Sequence, residues 1–107
     1  DMLYYIYIGS NRVTIDHLSK ITGGMFRLFI LQQSGERYNT SILYEESTPQ
    51  KDSQNITFLH KRFPRVYIIL ITEGLQKEHR KLYLQAGVNN TLSPMASEES
   101  LQQMTKF

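Results

Sequence analysis

Short apolar runs, most of them rich in β-branched or aromatic side chains, recur along this chain. They occupy residues 3–8, 26–31, 42–46, 66–71 and 91–92. Runs of this length that are bounded by turn-forming or polar residues predict strands. The run at 66–71 has no polar alternation, which is typical of a strand covered on both faces in a parallel sheet.

Segments with a helical spacing of apolar residues separate these runs. The first carries its apolar stripe on Val13, Leu18, Ile21 and Met25. The glycine pair at 23–24 predicts the end of that helix, because glycine tolerates a left-handed terminal residue. Between residues 34 and 41 there is room for only about one to two helical turns, so we expect a helix there to be shortened or absent.

A second helix is predicted after the strand at 42–46. Pro49 indicates the loop between them, since proline lacks the donor that a central strand needs. Asp52 or Ser53 is the expected N-cap. The apolar stripe is Ile56, Leu59 and Phe63.

Two more helices close the chain. The first covers residues 75–86 and ends at Gly87, and the second covers 97–106 with Ser97 as its cap. The predicted buried side of the 75–86 helix is Leu75, Leu82 and Ala86. Its basic cluster, Lys77, His79, Arg80 and Lys81, is then interpreted as a solvated face.

Strands and helices therefore alternate along the whole sequence. Alternation requires crossover connections, so we expect an α/β fold with a doubly wound, five-stranded parallel sheet and helices on both faces. In such sheets ligands and catalytic groups lie at the carboxyl ends of the strands. Residues 1–107 are expected to form a single domain, because the length is close to the commonest domain size.

Composition narrows the possible functions only slightly. The net charge of +2 comes from 12 basic and 10 acidic residues that are scattered along the chain, which does not favour nucleic acid or a membrane surface as the partner. There is no cysteine, which excludes disulfides and thiolate chemistry, and a cytoplasmic location is expected. Because the chain begins with Asp1 rather than Met, we expect a fragment of a longer regulator.

Four local motifs follow one another along the chain, and their order and spacing are informative. Glu45, Pro49 and Asp52 surround the end of the third strand, and the fourth strand ends in Thr72. An Ala86-Gly87 pair precedes the fifth strand, and Glu99 and Leu101 open the last helix. In this order and spacing the chain resembles the receiver (CheY-like) domain of two-component response regulators over nearly its whole length.

The resemblance implies particular roles for positions at the carboxyl edge of the sheet. Glu45 stands at the phospho-acceptor position, which the family fills with aspartate, and Thr72 stands at the hydroxyl switch position. The remaining positions have lost the family's residues: Gly9 and Ser10 replace the acidic metal-binding pair, Ser93 or Pro94 the lysine, and Thr91 the aromatic switch residue. We therefore expect a degenerate receiver that is not an enzyme, with no cofactor and with weak or absent Mg²⁺ binding.

The sequence is compatible with two hypotheses for the role of Glu45. Its charge either stands in for a phosphoryl group, aimed at Thr72, or is simply solvated at the edge of a decayed site. Thr72 is either a remnant of the switch or a packing and turn residue. Asp52 either helps to hold a cation or caps a helix, and the three histidines are expected at partly exposed positions.

The expected function is regulation through protein–protein contacts, independent of phosphorylation. By resemblance, the surface at residues 75–106 is the expected interface, for a homodimer or for another protein partner. The expected target of regulation is an attached output domain, such as a DNA-binding domain. One alternative is a receiver that still accepts a phosphoryl group on an unconventional residue. Another is a flavodoxin-like small-ligand domain that uses the loop from Gly9 to Asn11.

Overall fold

The computed structural model describes residues 3–23, 26–28 and 39–105. Strands and helices alternate in it as follows: β1 (Leu3–Ile8), α1 (Arg12–Ile21), β2 (Phe26–Leu28), β3 (Asn39–Glu45), α2 (Pro49–Arg62), β4 (Tyr67–Ile71), α3 (Lys77–Ala86), β5 (Asn90–Leu92) and α4 (Glu98–Met104). The shortened helix expected between residues 34 and 41 falls at 34–38 outside the described residues. None of the helices that the structure describes is both long and apolar enough to cross a membrane.

The strands form one parallel sheet in the order β2-β1-β3-β4-β5. The predicted α/β class with a parallel sheet is confirmed. Strand β2 lies on one side of β1 and β3 lies on the other, so the connections of the chain diverge between β1 and β3. This divergence is the topological switch point of the sheet. The register there pairs Tyr7 with Leu43 and Ile8 with Tyr44.

Helices cover both faces of this sheet. Alternate residues of β3 face opposite sides, so Leu43 packs in one core with Leu18 of α1 and Leu101 of α4. Tyr44 packs in the other core, where Ile56 of α2 is also fully buried. The sheet is consequently packed between two layers of helices, each with its own apolar core.

Strand β3 begins at Asn39, three residues before the predicted start at Ile42. Its first residues are polar, so no apolar signal marks them. Thr40 and Ser41 are nevertheless buried, because they pair with Tyr4 and Tyr5 of β1. The pairing partner, which is distant in sequence, determines this boundary.

The start of α2 also differs from the prediction. Pro49 is the first residue of the helix rather than part of the loop, and the N-cap is Thr48 instead of Asp52 or Ser53. Proline is favourable at this position because the first helical N–H has no intrahelical partner. Asp52 therefore lies one turn inside the helix, which changes its role entirely.

Two further predicted helix boundaries are confirmed, whereas two residues predicted to be buried are exposed. Gly87 ends α3 in a left-handed conformation (φ 119°), and the Ser97 side chain caps α4, both as predicted. Val13 is 68% exposed and Leu82 is 37% exposed, so their predicted places on buried stripes are wrong. Tyr83 is the residue that α3 buries.

Candidate functional site

A cleft of about 500 Å³ lies at the carboxyl ends of the strands. Its lining residues are Asn11, Val13, Thr14, Glu45, Glu46, Ile71, Thr72, Glu73, Gly74, Pro94 and Met95. Three of them are glutamates, and none of the described residues that line the cleft is lysine, arginine or histidine. The cleft is therefore a strongly negative surface on a chain whose net charge is positive.

The carboxylate of Glu45 is engaged by a tyrosine of the neighbouring strand. The Tyr7 hydroxyl donates a hydrogen bond to Glu45 Oε1 and accepts one from the Asn11 backbone amide at 3.3 Å. Burial and the adjacent Glu45 raise the pKa of Tyr7 far above the usual value of 10.0. The hydroxyl thus keeps its proton and remains a donor to the carboxylate.

Gly9 leaves no room for a side chain beside this pair. A β-carbon built at Gly9 would lie 2.5 Å from the Tyr7 hydroxyl oxygen and 2.7 Å from the Glu45 β-carbon. These separations are far below ordinary van der Waals contact. An acidic side chain at this position is sterically incompatible with the Tyr7–Glu45 arrangement.

Thr72 bonds to a different glutamate from the one expected. Its hydroxyl donates to Glu46 Oε1 at 2.6 Å and accepts from the Gly74 amide at 3.1 Å. Its own backbone N–H donates to the Leu92 carbonyl at 2.9 Å. Glu45 and Glu46 therefore have separate partners, Tyr7 on β1 and Thr72 directly after β4.

The other predicted site positions occupy the same edge without supplying a cation. Ser10 is exposed in the β1–α1 loop, and Pro94 lines the cleft. Ser93 Oγ accepts a hydrogen bond from the Met95 amide at 3.1 Å, which makes it part of a turn. Thr91 is exposed on β5 and lines a smaller neighbouring cleft of about 250 Å³.

Comparison with known proteins adds structural relatives only. No family model and no curated protein matches the chain. A CheY-like protein (TadZ) from Pseudomonas aeruginosa PAO1 superposes with a TM-score of 0.73 at 10% identity, covering 99% of this chain and 92% of that one. A proposed pilus assembly protein (CpaE) from Burkholderia thailandensis E264 gives a TM-score of 0.74 at 15% identity, covering 99% and 100%.

This chain has the CheY-like receiver fold. At these identities the likeness establishes the fold alone. In the structure, Glu45 is the last residue of β3 and Thr72 directly follows β4, so both lie at the carboxyl edge of the sheet.

Asp52 is the site residue that sequence reasoning misjudged. Its side chain is 1% exposed and accepts three hydrogen bonds within this receiver fold. The donors are the Ser47 amide at 2.6 Å, the Tyr83 hydroxyl at 2.5 Å and the Tyr44 hydroxyl at 3.2 Å. Asp52 therefore joins the loop after β3 to α2 and α3, and it is neither the cap of α2 nor a group that faces the cleft.

The tyrosines around Asp52 remain protonated donors. Burial raises the pKa of both Tyr83 and Tyr44 above 10.0, and the nearby carboxylate of Asp52 raises both further. Tyr44 also accepts a hydrogen bond from the Asn55 side-chain amide at 2.9 Å. Five residues, Tyr44, Ser47, Asp52, Asn55 and Tyr83, thus form one hydrogen-bonded network around the buried Asp52 carboxylate.

A signal for this buried aspartate was present in the sequence. Asp52 precedes Ile56 by four residues and Leu59 by seven, so all three share one helical stripe. With Pro49 assigned to the first helical position, that stripe predicts a buried carboxylate. The assignment of Pro49 to a loop concealed it.

The histidines connect packed elements and do not cluster. His17 Nε2 donates to the Ala96 carbonyl at 2.6 Å, and His60 Nε2 donates to the Gly87 carbonyl at 2.6 Å. His79 is half-buried on α3. Within the described ranges, no group of three or more histidine, cysteine, aspartate or glutamate residues is arranged to hold a metal ion.

The small-ligand loop considered from the sequence is also occupied internally. The Asn11 side chain caps α1 by accepting from the Thr14 amide at 3.2 Å, and the Asn11 amide donates to Tyr7. A phosphate group needs such backbone donors to be available. Nothing in the geometry of this loop favours that alternative.

Proposed function

We propose that this domain is a degenerate receiver without catalytic activity that regulates a larger cytoplasmic protein through protein–protein contacts, independently of phosphorylation. The single observation that carries the proposal is the hydrogen bond from the Tyr7 hydroxyl to the Glu45 carboxylate. Through this bond, a side chain of the fold itself engages the carboxylate at the phospho-acceptor position. The domain then contributes its shape and surface charge rather than a reaction.

The surroundings of Glu45 support this proposal. A phosphoryl group carries close to two negative charges, and its transfer requires cationic stabilisation of the oxygens. The described lining of the cleft contains three glutamates and no lysine or arginine. A phosphorylated Glu45 would add charge to a surface that already repels it.

The interaction surface that we propose comprises α3, β5 and α4. Lys77, Arg80, Lys81 and Leu84 of α3 are exposed, and Leu84 is an apolar residue with 58% of its side chain accessible. A protein partner that docks on this face would bury Leu84 together with the basic side chains. A homodimer or a different protein partner would use this side of the molecule.

The likeness to CpaE supports a place in a protein assembly. That protein is described as acting in pilus assembly, and its fold matches along its entire length. Assembly requires docking surfaces and does not require phosphoryl transfer. The same kind of regulation could act on an attached DNA-binding domain, and control of transcription is therefore the second version of this proposal.

Incubation with Mg²⁺ and acetyl phosphate, followed by intact-mass spectrometry, tests the proposal directly. We expect no mass increment and no change in melting temperature, because the acceptor carboxylate is engaged by Tyr7. A phosphorylatable receiver treated in the same way serves as the positive control. The Tyr7→Phe variant shows whether releasing Glu45 alone changes the outcome.

A phosphoryl increment that maps to Glu45 in the wild-type chain would overturn the proposal in favour of an unconventional phospho-acceptor. Thermal stabilisation by a nucleotide or flavin, with loss of that effect in Asn11→Ala, would instead favour the small-ligand alternative, since a bound ligand stabilises the folded state by mass action. Both measurements use the same preparation.

A further inference from the structure

One stripe of α3 is basic and unpartnered. Lys77, Arg80, Lys81 and Leu84 lie at positions i, i+3, i+4 and i+7, so they share a face of the helix, and all four are exposed. The residue that α3 buries, Tyr83, is not part of this stripe. Among the residues that the structure describes, no ion pair or hydrogen bond engages the three basic side chains.

An acidic patch lies next to this stripe. Glu45, Glu46 and Glu73 line the large cleft, and the exposed apolar residues Val13 (68%) and Met95 (64%) lie at its rim. The basic stripe likewise carries one exposed apolar residue, Leu84. The two patches are therefore opposite in charge and alike in composition.

The two patches meet at one point on the surface. Glu73 and Arg80 line the same smaller cleft, although no ion pair within 4.0 Å joins them in the described chain. Residues 74–76 connect the end of β4 to the start of α3 directly. A surface with adjacent acidic and basic patches is self-complementary across a twofold axis, because each patch then faces its opposite on the other copy.

We infer that two copies of this chain pair about a twofold axis near residues 74–76, with the basic α3 stripe of each copy against the acidic cleft of the other. This inference deepens the proposed function, on which it rests, by naming a second copy as a partner and the cleft as part of the interface. Charge complementarity identifies that partner. The degenerate acceptor site then serves as a docking surface for lysine and arginine.

Energetics predict a weak dimer that is sensitive to salt. Exposed ion pairs each contribute little, and ions screen them within about 8 Å at physiological ionic strength. Burial of Leu84 and Met95 adds a modest apolar contribution. The dissociation constant should therefore rise steeply when NaCl is raised from about 50 mM to about 500 mM.

Charge reversal at one residue of each patch tests the pairing. Glu73→Lys and Lys81→Glu are both substitutions at exposed positions without internal partners, so the fold should be unaffected. Sedimentation equilibrium should show that each variant alone dimerises about tenfold more weakly than wild type, because like charges then face each other twice. An equimolar mixture of the two variants should recover the wild-type affinity, since every facing pair is again opposite in sign.

Asp16→Lys and Lys20→Glu on the exposed side of α1 are the matched controls. They change the net charge by the same amounts and should leave the dimer unchanged, alone or mixed. A wild-type chain that stays monomeric at low salt, variants that dimerise like wild type, or a mixture without recovery would each overturn the inference.

The phosphodonor experiment separates this failure from failure of the proposed function. If Glu45 stays unmodified while the chain is monomeric, the twofold pairing is wrong and the phosphorylation-independent role stands. If Glu45 is phosphorylated, the proposed function fails regardless of the oligomeric state.

Discussion

Glu45 and Asp52 are seven residues apart, both accept a hydrogen bond from a tyrosine, and yet they occupy opposite environments. Glu45 is half-buried at the edge of an open acidic cleft and has Tyr7 as its donor. Asp52 is 1% exposed and is surrounded by donors from three parts of the chain. Glu45, the position that the sequence motif marks, is thus held by fewer hydrogen bonds than Asp52.

The difference follows from solvation. A carboxylate that water can reach needs few protein donors, whereas a buried carboxylate is tolerated only when its oxygens are fully hydrogen-bonded. Asp52 therefore has a structural role inside the fold, whereas Glu45 belongs to the surface of the cleft. Stability measurements on single substitutions test this contrast.

Asp52→Ala should have the largest effect. It leaves the Tyr44 and Tyr83 hydroxyls and the Ser47 amide without their acceptor, so we expect a loss of about 3 kcal/mol in the free energy of unfolding. Urea denaturation measures it. Asp16→Ala on the exposed face of α1 is the control, with a change within about 0.5 kcal/mol. Equal effects of the two substitutions would remove the contrast.

Gly9→Ala should destabilise the fold by about 2 kcal/mol, because the new methyl group collides with Tyr7 and Glu45. Gly74→Ala is a matched control: its φ of 156° is close to the 158° of Gly9, but a β-carbon there meets nothing within 4 Å. The difference between the two variants isolates the steric contact. If both lose the same stability, the crowding around Glu45 is not what excludes a side chain.

High pH should destabilise the protein through its buried tyrosines. The folded-state pKa of Tyr83 lies above 10.0, so the folded state holds this proton more tightly than the unfolded chain. The resulting stability is complete below pH 10 and is lost as pH rises above it, by about 1.4 kcal/mol per such tyrosine near pH 11.

Denaturation of wild type and Tyr83→Phe at pH 8 and near pH 11 checks this expectation. The variant should be less stable at pH 8 but should lose less on alkalinisation, because it lacks one of the titrating hydroxyls. An identical loss in both proteins would show that the Tyr83–Asp52 bond does not perturb the titration.

Glu45→Gln should have the smallest effect, less than about 0.5 kcal/mol. The amide oxygen still accepts from Tyr7, and the amide nitrogen can be solvated at the cleft. Asp52→Asn is the paired comparison and should cost more, because its amide nitrogen must replace an acceptor for buried donors. Denaturant midpoints compared at unchanged m-values distinguish the two outcomes.

Much of the fold was predictable because its signals are local. The continuous apolar run predicted β1 with its observed bounds, and the ends marked by Gly87 and Ser97 depend on backbone conformation and side-chain capping within one turn. Alternation of strands and helices then predicted a parallel sheet whose carboxyl edge carries the site. The positions of Glu45 and Thr72 at that edge follow from the same pattern.

Tertiary structure alone decided which groups meet at that edge. The polar start of β3 is a strand because β1 pairs with it, and Thr72 bonds to Glu46 rather than Glu45 because of how two neighbouring strands end. Tyr7 reaches Glu45 only across the sheet. Hydrogen bonds and steric contacts between residues distant in sequence leave no periodic pattern in the sequence. The amino-acid sequence by itself therefore determined the scaffold, whereas the packing of that scaffold determined which groups form the site.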